Sequence, residues 1–266
     1  MGRILLGLRH SAVAARRTAR HGTVLNASSV HHGLTIESTS GVRRPTAGGR
    51  RPIGKLVLVT AIVFDLDGTL VDSFDDISAA FRRSFHVLGC DPPDVAAVKA
   101  MIGKPLTDMY APWAPPERIA DLVAEYRRDY SERCADLTRP FPGIVGLLAA
   151  LRERGHALAV ATTKTTWMAQ TVVGKVGLAG MLDHVQGTDG FPHKPAPDVV
   201  DHALAGVGRA GSWMVGDTDF DIGAGRAAGL RTCAVTWGVH DETRLRAAAP
   251  DAVVQSVDEL HALLLA

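Results

Sequence analysis

Cysteine is scarce in this chain: Cys90, Cys134 and Cys233 are the only three, widely separated and odd in number. Their spacing matches no thiolate metal site, and reduced thiols in a cytoplasmic protein are expected. Long apolar runs are also missing. No stretch reaches the roughly 18 residues that a membrane-spanning helix needs, so no membrane partner is expected. There is no Gly-x-x-x-x-Gly-Lys loop, which argues against nucleotide hydrolysis of the P-loop kind. Acidic residues are almost absent from residues 1–55, where nine Arg and one Lys face the single acid Glu37. The remainder carries 19 basic and 27 acidic residues. That body is mildly acidic and offers no basic footprint for nucleic acid.

What is present divides the chain. Residues 1–55 contain Arg16-Arg17, Arg43-Arg44 and Arg50-Arg51 among Ser and Gly. Such a stretch fits an organellar transit peptide, a disordered tail, or translation begun upstream of the natural start. Only Ile4-Leu5-Leu6-Gly7-Leu8 is apolar, so a disordered extension is the preferred reading, with a cytoplasmic protein. From residue 56 the pattern becomes regular. Residues 56–64 read as a buried strand. Asp72-Ser73 can cap a helix whose apolar face is Phe74, Ile77, Phe81, Phe85 and Leu88. No strand pattern appears between Asp72 and Arg139, and a long helix is expected from about Glu117. After Arg139-Pro140-Phe141-Pro142-Gly143, strands and helices alternate to the end, which predicts a parallel sheet covered on both faces.

Polar clusters stand at the ends of several expected strands. Asp65 and Asp67 follow Ala61-Ile62-Val63-Phe64, and Gly68 lets the chain turn. Two close carboxylates repel and need a cation or a shared proton. Taken alone, the pair also fits an Asp-rich strand-to-turn corner. Thr162-Thr163-Lys164 follows Ala157–Ala161, where a hydroxyl and backbone amides can meet an anion. Lys194 stands in a stiff loop before Pro195-Ala196-Pro197-Asp198. Asp217, Asp219 and Asp221 follow Met214-Val215-Gly216, an oxygen-rich set suited to a hard cation. Together these groups suit phosphoryl transfer, where the protein positions groups and neutralises charge.

In this order, Asp65-Leu66-Asp67-Gly68-Thr69-Leu70, Thr162, Lys194 with Pro195-Ala196-Pro197-Asp198, and Gly216-Asp217-Thr218-Asp219-Phe220-Asp221 resemble the four motifs of the haloacid dehalogenase superfamily. Asp72-Ser73, Phe141-Pro142-Gly143 and Val235-Thr236-Trp237-Gly238 resemble its phosphoglycolate phosphatase-like subgroup. The resemblance implies an α/β fold: a Rossmannoid parallel-sheet core over residues 56–71 and 140–266, with an inserted all-helical cap over 72–139. It implies a phosphatase acting through an aspartyl-phosphate on Asp65, with Asp67 as acid and base. Thr162 and Lys194 would hold the phosphoryl oxygens, and Lys194 would also orient Asp65. Mg²⁺ would be bound by Asp65, the Asp67 carbonyl and Asp217, with Asp221 behind them.

The expected partner is a small phosphorylated metabolite, most simply 2-phosphoglycolate, handled by a monomer or homodimer. Lys104 in Gly103-Lys104-Pro105 resembles the cap's specificity loop and, with Thr163, is a candidate substrate contact. Pyrophosphate and nucleoside monophosphates are alternative substrates of the same superfamily. A sugar phosphomutase is a further alternative, although those enzymes usually carry Glu-Asp where this chain has Gly216-Asp217.

Overall fold

The computed structural model describes residues 59–266. The basic extension expected over residues 1–55, and the first residues of the expected strand, lie outside the described residues. The first described elements are strands β1 (Ala61–Phe64) and β2 (Val71–Asp72). Helices α1 (Phe74–Val87), α2 (Val95–Lys99), α3 (Leu106–Tyr110) and α4 (Pro116–Arg133) follow, then strand β3 (Arg139–Pro140). Next come α5 (Ile144–Glu153), β4 (Ala157–Ala161), α6 (Thr166–Lys175), β5 (His184–Gln186) and α7 (Asp198–Val207). The chain ends with β6 (Gly211–Gly216), α8 (Asp219–Ala227), β7 (Arg231–Val235), α9 (Glu242–Ala247), β8 (Ala252–Val254) and α10 (Val257–Leu264).

The six longer strands form one sheet in the order β5-β4-β1-β6-β7-β8, and every pairing is parallel. β1 and β4 are buried along their whole length, as continuous apolar runs should be in a sheet covered on both sides. Alternate side chains serve opposite faces. Ile62 and Phe64 join the large core containing Leu148, Val160 and Val215, whereas Val63 packs with Ala159, Val199 and Met214 on the other face.

α1 repeats apolar residues at helical spacing, and Ile77, Phe81 and Phe85 are buried. Tyr110 of α3 stacks on Phe81 at 4.2 Å between ring centroids, and its hydroxyl lies 2.7 Å from Ser84 Oγ. Burying each such ring stabilises the fold by about 1.5–3 kcal/mol, and the paired hydroxyl removes the penalty for an unsatisfied polar group. Pro116 opens α4, the helix position that tolerates proline because its missing N–H has no partner there.

Two departures from the sequence reading bear on the site. Asp72 and Arg139, placed inside an all-helical segment by pattern, pair with each other across the antiparallel ribbon β2–β3. Two-residue strands carry no alternation from which to read them. The buried Asp76 carboxylate then closes the helical excursion on itself. It accepts from Leu137 N at 3.0 Å, Thr138 N at 2.7 Å and Thr138 Oγ1 at 2.7 Å. Helix α9, six residues long, is a further element the sequence pattern does not show.

Candidate active site

The sheet's connections place the site. From β1 the chain moves to β4 and β5 on one side, then crosses to β6, β7 and β8 on the other. The strand order therefore reverses at β1, and a crevice opens at the carboxyl ends of β1, β4 and β6. Asp65 directly follows β1, Thr162 follows β4, and Asp217 follows β6. The loop after β5 brings in Lys194. The four motifs expected from sequence meet in this crevice.

Asp65, Asp217 and Asp221 are all buried, and each offers a carboxylate oxygen within 4.8 Å of the others. Lys194, itself only 3% exposed, donates to Asp65 Oδ1 at 2.6 Å, Asp221 Oδ1 at 2.5 Å and the Ala161 carbonyl at 3.1 Å. An ammonium has three N–H donors, so all three are engaged. Lys194 thus orients Asp65 directly, and contact with a phosphoryl oxygen would require it to release one of these bonds. Asp217 accepts from Thr69 Oγ1 at 2.9 Å and Val239 N at 2.8 Å, with no salt bridge among the described residues. Gly68 has φ +82°, and a Cβ there would overlap the Asp217 carboxylate. Glycine at this turn is required by both conformation and space.

The charges do not balance. Burial pushes the Asp65 carboxyl well above its ordinary value; Lys194 pulls it back, and Asp221, Asp217 and Asp67 add to the rise. Burial, then Asp221, pushes Asp217 up to about 7. Burial alone would lower the Lys194 ammonium, yet Asp221 and Asp65 hold it above its ordinary value. Asp65 rises because burial outweighs the pull of Lys194, and Lys194 rises because its two bonded carboxylates, Asp221 and Asp65, outweigh burial. If all three carboxylates ionise, the cluster keeps two negative charges in a buried site. A divalent cation with oxygen preference fits that deficit.

Asp67 sits at the edge of this cluster. Ser73 Oγ donates to its Oδ1 at 2.6 Å and Lys164 Nζ to its Oδ2 at 2.7 Å. Ser73 does occupy the N-cap of α1, but its side chain makes no capping bond; its hydroxyl is spent on Asp67. Neither pairing was assigned from sequence, because both link residues through space rather than through a spaced motif. Asp221, expected behind the metal ligands, has a second tie as well. It forms a capping box with Thr218 at the start of α8. Asp219 pairs with Arg244 at 3.0 Å and serves local structure.

A cavity of about 320 Å³ opens over these groups. Asp65, Asp67, Thr162, Thr163, Lys104 and Lys194 all line it, so every expected substrate contact reaches one space. Thr162 is buried, and its Oγ1 accepts from Lys164 N at 3.3 Å, which leaves its own O–H as a donor. Lys104 Nζ lies 3.6 Å from Met101 Sδ. Arg127 of α4, exposed to solvent, lines the cavity as well, and Ile77, Val123 and Tyr126 supply apolar wall from α1 and α4.

The sequence pattern of haloacid dehalogenase-like hydrolases matches residues 62–235. The chain belongs to this family of enzymes. Within it, the chain falls in the phosphoglycolate phosphatase-like subgroup. It is 35% identical over 214 residues to a phosphoglycolate phosphatase of Cupriavidus necator, covering 77% of this chain and 93% of that one. It is 30% identical over 205 residues to the pyrophosphatase PpaX of Halalkalibacterium halodurans, covering 76% and 95%. A solved haloacid dehalogenase-like hydrolase of Streptococcus pneumoniae superposes with a TM-score of 0.70 at 32% identity, covering 77% of this chain and 98% of that one. Among the described residues no helix is long and apolar enough to cross a membrane.

Proposed function

We propose that the chain is a Mg²⁺-dependent phosphatase of small phosphomonoesters that works through an aspartyl-phosphate on Asp65. The observation that carries this reading is the buried group of three carboxylates around one lysine, with Asp67 beside it. Asp65, Asp217 and the Asp67 carbonyl would hold the metal, and Asp221 would support them. When bound, the metal would supply positive charge that offsets the carboxylates and the phosphoryl group.

In the first step an Asp65 oxygen bonds to phosphorus while the bond to the leaving oxygen breaks. That bond's electron pair stays on the leaving oxygen, which takes a proton from Asp67. In the second step Asp67 accepts a proton from water as the water oxygen attacks phosphorus, and the Asp65 carboxylate is released. Thr162 would donate its O–H to the transferring group. Lys194 keeps Asp65 aimed, as its 2.6 Å bond supports. The helical segment, residues 72–139 in this reading, would act as a cap on a core of 56–71 and 140–266, shielding the intermediate from bulk water. A cytoplasmic monomer or homodimer remains part of the reading.

Because Asp217 is pushed up to about 7 from 3.8, metal and proton compete for it. A raised carboxyl contributes stability that is full below its unfolded value and is lost as pH rises through the folded one. Metal-free protein should therefore lose stability between about pH 4 and pH 7, and Mg²⁺ should restore it. Thermal unfolding with and without Mg²⁺ checks this. The rise in Tm should be larger at about pH 8 than at about pH 5.5; equal rises would contradict the assignment of Asp217.

For substrate, the best supported class is a phosphomonoester with a second anionic group, 2-phosphoglycolate foremost. Lys104 and Arg127 facing the cavity support it, and so does the relative that bears the phosphoglycolate phosphatase name. The PpaX relative favours pyrophosphate as the second reading. A charge-assisted hydrogen bond contributes about 1.5–3 kcal/mol, so Lys104→Ala should lower kcat/KM for 2-phosphoglycolate by roughly ten- to a hundredfold. An aryl phosphate without a second charge should respond far less. Unchanged preference among 2-phosphoglycolate, pyrophosphate and the aryl ester would remove Lys104 from the specificity assignment.

A further inference from the structure

Both carboxylate oxygens of Asp67 are held, each by a donor from a different part of the chain. Ser73 approaches Oδ1 at 2.6 Å from the junction of β2 and α1, and Lys164 approaches Oδ2 at 2.7 Å from the end of β4. Ser73 is 2% exposed and makes no capping bond to its own helix. The Lys164 side chain is 12% exposed and that of Asp67 is 11% exposed, so this ion pair is largely removed from water. The ring of Tyr130 on α4 backs Lys164, with Nζ 4.9 Å from the centroid. A lysine that gives up hydration and lies against an aromatic face has lost much of its freedom to wander.

A carboxyl fixed at both oxygens is fixed in place and in plane. Proton delivery needs that, because the transfer requires hydrogen-bond reach to the receiving oxygen. Within the phosphatase reading given above, on which this inference rests, we propose that Ser73 and Lys164 are positioning residues that aim Asp67 at the leaving oxygen. As the phosphorus–oxygen bond breaks, its electron pair stays on the leaving oxygen and the proton moves there from Asp67. The carboxylate left on Asp67 is then met by the Lys164 ammonium and the Ser73 hydroxyl. These contacts strengthen as charge develops, so they act on the transition state more than on bound substrate.

The test varies the leaving group. A simple alkyl phosphate expels an alkoxide and needs the proton, whereas 4-nitrophenyl phosphate expels a stable phenolate and does not. kcat/KM reports phosphoryl transfer to Asp65 and excludes the later hydrolysis shared by both esters. Lys164→Met should lower kcat/KM for the alkyl ester by about a hundredfold and Ser73→Ala by about tenfold, with 4-nitrophenyl phosphate changed by no more than about a few-fold. Lys164→Arg should recover part of the alkyl-ester rate. An equal fall for both esters, or a fall for neither, overturns the positioning role. If Lys164→Met does not fold, Ser73→Ala decides alone, since it removes no helix-capping bond. Wild-type protein that releases phosphate from neither ester with Mg²⁺ would instead overturn the phosphatase reading.

Discussion

Replacing Asp65 with asparagine should cut turnover by at least about three orders of magnitude, because the nucleophile is lost outright. The fold should survive the change. Asp65 is buried among like charges, and its carboxyl is pushed well above its ordinary value chiefly by burial. An amide of the same shape avoids that penalty and can still accept from Lys194. Metal-free Asp65→Asn should therefore melt at or above the wild-type temperature, while the Mg²⁺-induced rise in Tm shrinks with the lost ligand. Steady-state kinetics with an aryl phosphate and thermal unfolding with and without Mg²⁺ check the two halves. Turnover near wild type would remove Asp65 as nucleophile, and a large drop in metal-free Tm would show that its role is structural.

Lys194→Met carries the second large effect, and here stability and activity fall together. Lys194 is the cation that serves Asp65 and Asp221, at 2.6 and 2.5 Å. Removing one partner of a buried pair costs about 3–5 kcal/mol, because the remaining charge stays in a poor solvent. In the variant, the buried carboxylates escape the penalty by taking protons. Its stability deficit should therefore shrink as pH falls from about 8 to about 5.5. Urea unfolding across that range reads the deficit directly. Activity should be lost at every pH, since Asp65 is no longer aimed. A pH-independent deficit would mean that Lys194 contributes packing alone.

Much of this site was legible before any coordinates. Apolar runs such as Ala61–Phe64 and Ala157–Ala161 show buried strands because both faces of a central parallel strand are covered. Polar residues directly after such runs are then delivered to one edge of the sheet, which is why Asp65, Thr162 and Asp217 converge. What pattern does not carry is partnership across distance. Lys194 and Asp65 are 129 residues apart in sequence; spacing alone does not show their pairing, which only the family resemblance implied. Spacing also misses Ser73, whose place before a helix signals a cap although its hydroxyl bonds Asp67 instead. Lys164 likewise pairs with Asp67 across 97 residues, a contact no local spacing shows. Arg127 is exposed on α4 and also lines the cavity, which helical periodicity does not show. The β2–β3 ribbon was invisible because two residues are too few to show alternation.

The covalent intermediate is tested most directly by trapping it in Asp67→Asn. This variant keeps the nucleophile but cannot activate water, and 4-nitrophenyl phosphate needs no proton to depart. Mixed with that ester and Mg²⁺, quenched in acid and digested, the protein should release one nitrophenolate per chain in a burst. Mass spectrometry should then locate a hydroxylamine-sensitive phosphoryl group on Asp65. Continued turnover with no adduct, or an adduct on any other residue, would contradict phosphoryl transfer to Asp65.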